Sequence, residues 1–199
     1  MADTTILTSI HGKRFGLDRP GNAIVDRGDA VGPTILSSTA YTNVAASTAL
    51  TASSTETLFS TSYSIPANTL VPGQLIKISY WGIVTASNST DTFASVLRIG
   101  GLAGTALYTH TATDATNNDI FLGEYTLVVR TIGASGTIVG WGWGKNVPAV
   151  EATTTVRTDV LASTAIDTTV AQVIGVTGQF SSTNAGNSAR LDMLAVQMA

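Results

Sequence analysis

Apolar and polar residues alternate over strand-length runs in this chain, and no segment sustains a helical period, which restricts the fold more than any other feature. In Leu75–Val84, residues Ile76, Ile78, Tyr80 and Val84 share one face, and Lys77 and Ser79 share the other. Phe93–Ile99 repeats the pattern, setting Phe93, Ser95, Leu97 and Ile99 opposite Ala94 and Arg98. In Ile120–Thr131, Phe121, Tyr125, Leu127 and Val129 oppose Glu124, Thr126 and Arg130. A period of two with many β-branched residues predicts half-buried strands of an antiparallel sheet. Corners lie around the first two runs, within Ser64–Gly101. Pro66 precedes a turn at Ala67–Asn68, and Val71–Gln74 places proline and glycine where a type II turn needs them.

Further strands are expected at Thr57–Ile65, Ala106–Tyr108, Thr137–Gly144, Thr153–Leu161, Thr168–Thr177 and Ala189–Met198. Polar loops are expected at Ser87–Asp91 and Thr111–Asp119, and a hairpin turn at Ile132–Gly136. About eight or nine strands with no intervening helix predict an all-β fold, a jelly-roll-like antiparallel β-sandwich with an extended N-terminal arm. The expected division is residues 1–48 as arm and linker and residues 49–199 as the sandwich.

The arm reads differently from the rest. Residues 1–31 hold Asp3, Lys13, Arg14, Asp18, Arg19, Asp26, Arg27 and Asp29, and glycines and Pro20 break any periodicity. Ordering such a segment costs ~1–2 kcal/mol per residue in backbone entropy, so it must dock somewhere or stay disordered. Mixed charge interspersed with Ile10, Phe15, Leu17, Ile24 and Val25 favours a docking arm, with a short hairpin at Asp18–Asn22. Gly32–Ser54 is rich in threonine, serine and alanine, and reads as a linker or a first edge strand.

Charged residues make up 12% of the chain, which suits strands whose outer faces meet protein rather than open water. A net charge of −3 gives no electrostatic footprint for nucleic acid. No cysteine is present, which removes disulfides, thiol nucleophiles and cysteine metal sites. The first residues lack a basic stretch followed by an apolar run, and Ala30–Thr55 is too polar to span a bilayer, so a soluble product with no membrane partner is expected.

Candidates for chemistry are few. The histidines are His11, in the arm, and His110, at a strand end near Asp114, Asp119 and Asp91. A metal site there is outweighed by ordinary solvation of loop carboxylates. Serines are plentiful, but no Gly-x-Ser-x-Gly elbow occurs. The glutamates Glu56, Glu124 and Glu151 form no recognisable acid pair. No catalytic residue, no metal and no cofactor is therefore expected. The strongest constellation is Trp141-Gly142-Trp143-Gly144-Lys145: Trp141 and Trp143 point with Val139 to one face, and Gly140, Gly142 and Gly144 leave the other bare. With Trp81, these rings form either a core or subunit interface or a platform that stacks a sugar or base.

Two stretches resemble virion proteins of tailed bacteriophages. Thr8–Asp18 with Gly21–Val25 looks like the opening of small head-associated phage proteins. Ile65–Leu70, Pro72–Ile78, Leu97–Gly101 and Leu127–Gly133 with Gly136-Thr137 are similar to a β-sandwich module of phage capsid-decorating and tail or fibre proteins. The resemblance implies a non-enzymatic capsid decoration (cement) protein, a homotrimer partnered by the major capsid protein. It would be made in the host cytoplasm and located on the outer capsid surface of the virion. The arm residues expected to meet the capsid are Ile10, His11, Lys13, Arg14, Phe15, Leu17, Arg19 and Arg27. The alternative is a receptor- or glycan-binding domain of a tail or head fibre, for which exposed Trp81, Trp141 and Trp143 would speak. A hydrolase on a jelly roll ranks last, because no motif supports it.

Overall fold

The computed structural model describes residues 41–86, 88, 90–147 and 157–199, and the backbone of residues 15–17, 23–25, 34–35 and 39–40. For 111, 113, 146–147 and 157–159 the description is of the backbone alone. The chain divides into two units, Met1–Thr39 with Met198–Ala199, and Ala40–Gln197.

In the first unit, β1 (Phe15–Leu17), β2 (Ala23–Val25) and β3 (Thr34–Ile35) form a small sheet in that order. β1 and β2 pair antiparallel, Phe15 opposite Val25 and Leu17 opposite Ala23; the turn expected at Asp18–Asn22 lies outside the described residues.

The second unit holds β4 (Thr39–Thr42), β5 (Leu50–Thr51), β6 (Thr57–Ile65), β7 (Leu75–Thr85), β8 (Thr92–Ile99), β9 (Thr105–Asp114), β10 (Asp119–Thr131), β11 (Gly136–Val147), β12 (Arg157–Ile166), β13 (Gln172–Phe180) and β14 (Ser188–Met198). The larger sheet runs β12-β11-β10-β7-β14-β4, with β5 also on β14, and the smaller runs β6-β13-β8-β9. Leaving aside β5 and the hairpin β11–β12, the order β4-β14-β7-β10 over β6-β13-β8-β9 is that of a jelly roll, two nested Greek keys. The hairpin β11–β12 widens the larger sheet beyond β10.

The alternating residues do what their spacing predicts. On β7, Ile76, Ile78, Tyr80 and Val84 are buried, as are Phe93, Ser95, Leu97 and Ile99 on β8 and Phe121, Tyr125, Leu127 and Val129 on β10. Their rings meet between the sheets: Phe121 lies 5.7 Å from Phe59 and 5.2 Å from Phe93, centroid to centroid, and Tyr108 stacks on Tyr125 at 3.9 Å. Pro72-Gly73 makes the expected corner, with Gly73 at φ 86°. The threonine-rich segment before residue 54 supplies the edge strand β4, tied to β14 where Asn43 N–H donates to Leu194 O at 3.2 Å.

Three strands depart furthest from their expected bounds. β13 begins at Gln172 rather than Thr168, because Asp167 Oδ1 accepts from both the N–H and the hydroxyl of Thr169, at 2.9 and 2.5 Å. That side-chain turn competes with a ladder. β9 runs to Asp114, well into the expected polar loop, since register shifts between Phe93 and Ser95 and between Leu97 and Arg98 keep it paired to β8. β12 occupies Arg157–Ile166, four residues later than expected at its start; residues 153–156 lie outside the described residues.

Candidate functional site

On β7, β10 and β11 the residues facing away from the smaller sheet form one continuous surface. The register sets Trp81 beside Leu122 and Lys145, Ser79 beside Glu124 and Trp143, and Lys77 beside Thr126 and Trp141. β12 extends the last row with Val160 opposite Trp141. Trp141 is 58% exposed, Trp81 38%, Val160 82% and Ile120 37%. All three tryptophans of the chain therefore lie on this face. The sequence placed Trp141 and Trp143 together and away from the glycines, which holds, but the rings point outward and do not fill the sandwich core. Between β7, β10 and β14 the surface dips into a depression of about 300 Å³ lined by Trp81, Ile120, Leu122, Glu124, Ser79 and Met193, among others.

Behind the tryptophans, the bare glycine face lies close to neighbouring backbone, Thr126 O at Gly140 and Glu124 O at Gly142, and to side chains as well. A Cβ on Gly142 would collide with the Tyr125 ring, and one on Gly144 would collide with the His110 ring. The two glycines therefore exist to let an imidazole and a phenol lie flat against β11. His110 is buried there, and its Nε2 meets the hydroxyls of Tyr80 and Tyr125, each at 2.9 Å. A metal reading, set aside in the sequence, would have needed Asp91, Asp114 or Asp119 beside His110; the hydrogen bonds described for its Nε2 go to tyrosines.

The loop carboxylates depart from expectation too. Asp91 and Asp119 are buried rather than solvated. Asp91 Oδ2 accepts from Asn184 Nδ2 at 2.7 Å and Asn187 Nδ2 at 2.9 Å. Those donors, Asn184 first, hold its carboxyl below the usual aspartate range. Asp119 accepts from the N–H and hydroxyl of Thr116, at 2.7 and 2.8 Å. Both carboxylates are occupied by donors and fasten loops. Among the described residues, no three histidine, aspartate or glutamate side chains gather as a metal site would require. Sequence reasoning had no means to find the asparagines of Asp91, which lie more than ninety positions away.

On the outer side of the smaller sheet, Arg98 reaches Glu56 through two bonds, Nε to Oε1 at 2.6 Å and an Nη to Oε2 at 2.8 Å. Thr177 donates to the same Oε1 at 2.5 Å, and Arg98 also donates to Gly104 O at 2.9 Å. Arg98 and the hydroxyl together hold the Glu56 carboxyl below its ordinary value, despite partial burial. The pair ties β8 and β13 to the start of β6.

The expected capsid-binding residues Ile10, His11, Lys13, Arg14, Arg19 and Arg27 lie outside the described residues, and Phe15 and Leu17 are described only as backbone of β1.

No known protein family matches the chain, and no curated protein matches it. Among solved structures it is similar to the infectious bursal disease virus VP2 subviral particle, at 13% identity and TM-score 0.37, over 96% of this chain and 46% of that one. A structure of the Gx strain of infectious bursal disease virus gives 16% identity and TM-score 0.32, over 85% of this chain and 36% of that one. The chain spans less than half the length of the solved chains it matches. At such similarity the fold assignment rests on the strand order above and not on these neighbours.

Proposed function

We propose that this chain is a virion structural protein, a decoration or cement protein that binds the outside of a phage head as a homotrimer. The observation that carries the reading is the outward apolar face of the larger sheet: a jelly roll that turns all three tryptophans outward is built to meet another protein. The resemblance of Thr8–Asp18 and of the sandwich segments to phage virion proteins supplies the setting, with the major capsid protein as partner and residues 1–31 as the capsid-binding arm. The test is co-sedimentation of the purified protein with undecorated capsids of the same phage. Binding to the capsid, lost on deletion of residues 1–31, is expected; binding unchanged by that deletion removes the arm's role, and no binding removes the reading.

A fibre head that binds a glycan is the second reading, favoured by the exposure of Trp81 and Trp141. Sugar recognition needs several converging polar groups beside an aromatic face, and Lys77, Ser79, Glu124 and Thr126 stand among the rings together with the apolar Leu122, Ile120, Val160 and Met193. The resemblance of Thr8–Asp18 to head-associated phage proteins ranks this reading second. Specific retention of one glycan on an array, abolished by Trp141→Ala, would reverse the order of the two readings.

A further inference from the structure

We infer that the face of β7, β10 and β11 is where one copy of this chain docks on another, with Trp141 of one copy seated in the depression beside Trp81 of the next. The inference deepens the reading of a self-assembling virion protein and rests on that reading. It names the surface and the contact.

Three observations choose a second copy as the occupant. First, the area fits. Taking an exposed tryptophan as about 250 Å² and an aliphatic side chain as somewhat less, Trp141, Trp81, Val160 and Ile120 present on the order of 400 Å² of apolar surface. A standard interface covers about 800 Å² per partner, a little over half of it apolar. The remainder comes from the polar Lys77, Ser79, Glu124 and Thr126, which the register places between the rings.

Second, knob and socket are both on the chain and are separate. Trp141 stands 58% exposed on β11, and it does not line the depression between β7, β10 and β14. About 300 Å³ accommodates one bicyclic ring against Trp81, Leu122 and Met193. Because knob and socket share one face, two copies can exchange them about a two-fold axis, each Trp141 in the other's socket, or pass them head to tail, which closes into a ring when the rotation allows. A closed ring of three is what a homotrimer requires.

Third, the polar chemistry is complementary. A buried indole N–H needs an acceptor, and the socket offers the carboxylate of Glu124 and the hydroxyl of Ser79. Tryptophan anchors seated in pockets dominate interfaces of this size.

Because the chain's three tryptophans all lie on this face, tryptophan fluorescence, excited beyond the tyrosine absorption, reports on it. The experiment is sedimentation equilibrium of the full chain over micromolar concentrations, with acrylamide quenching measured on the same samples. Self-association is expected, with quenching falling as the assembly forms. Trp141→Ala is expected to raise the dissociation constant at least about 30-fold, while Leu102→Arg, at an exposed turn of the smaller sheet, leaves it unchanged. Three outcomes overturn the inference. A monomer at every concentration removes the second copy. Assembly with constant quenching and an unaffected Trp141→Ala variant places the contact elsewhere. Tryptophans already shielded in a monomer mean that the chain's own amino-terminal segment covers the face. Capsid co-sedimentation is read separately, so a protein that assembles through this face without binding capsids sinks the proposed function and leaves this inference standing.

Discussion

Glu56 is crowded by donors. Two bonds from Arg98 and one from Thr177 stabilise its charged form, so its folded pKa lies below the unfolded value. A depressed carboxylate contributes stability that is fully present above the unfolded pKa and is lost as pH falls through the folded one. The pair is partly covered, with side chains 17% and 28% exposed, and is worth roughly 1 kcal/mol after solvent screening. Urea unfolding should therefore show Glu56→Gln destabilised at neutral pH, with its deficit against the parent protein shrinking as pH falls through the acid range. Gly144 makes the opposite kind of prediction, one of shape. Alanine there drives a methyl into the His110 ring, and overpacking of this kind costs about 1–3 kcal/mol. Thermal unfolding of Gly144→Ala should show Tm lowered by several degrees, whereas Gly73→Asn, at an open turn with φ 86°, meets no atom and should lower it less, by the strain of a positive φ alone.

At the scale of elements, β13 is the strand to watch. It lies between β6 and β8, and from Ile174 to Gly178 every residue is buried, Thr177 included. β12 is an edge strand whose Val160 is 82% exposed. Amide hydrogen exchange should be slowest in β13, β7 and β10 and much faster in β12, because edge strands open locally while central strands open only with the whole sandwich. The strands themselves were legible wherever one face was buried and the other wet, since alternation then writes the burial pattern into the residues, as in Leu75–Val84. Legibility failed where side chains or distant partners decide. Asp167 delays β13 by bonding Thr169, and bulges opposite β9 prolong a strand through residues that read as a polar loop. The glycine row on β11 signalled a close approach, but the sequence holds no record that Tyr125 and His110 make it. The direction of the tryptophans was hidden for a related reason. An indole fits a core and an interface equally well, and period two says only that Trp141 and Trp143 share a side.

For the whole molecule, the prediction that reaches furthest is assembly. Sedimentation velocity should give a particle of three times the 20.5 kDa chain mass, and Trp141→Ala should return it to the monomer without lowering Tm of the separated chain, since the ring is largely in solvent. The position of β14 has a consequence of another kind. It sits inside the larger sheet, between β7 and β4, and Asn43 donates to Asp192 O across 149 positions of sequence. On the ribosome, β4 can find its neighbour only after Ser188–Met198 has been made, which at about 5–20 residues per second leaves it waiting on the order of ten seconds or more. Until then β7 offers an unpaired edge to every nascent chain nearby. On a polysome crowded with identical copies, the eleven residues of β14 decide whether that edge closes within one chain or between two.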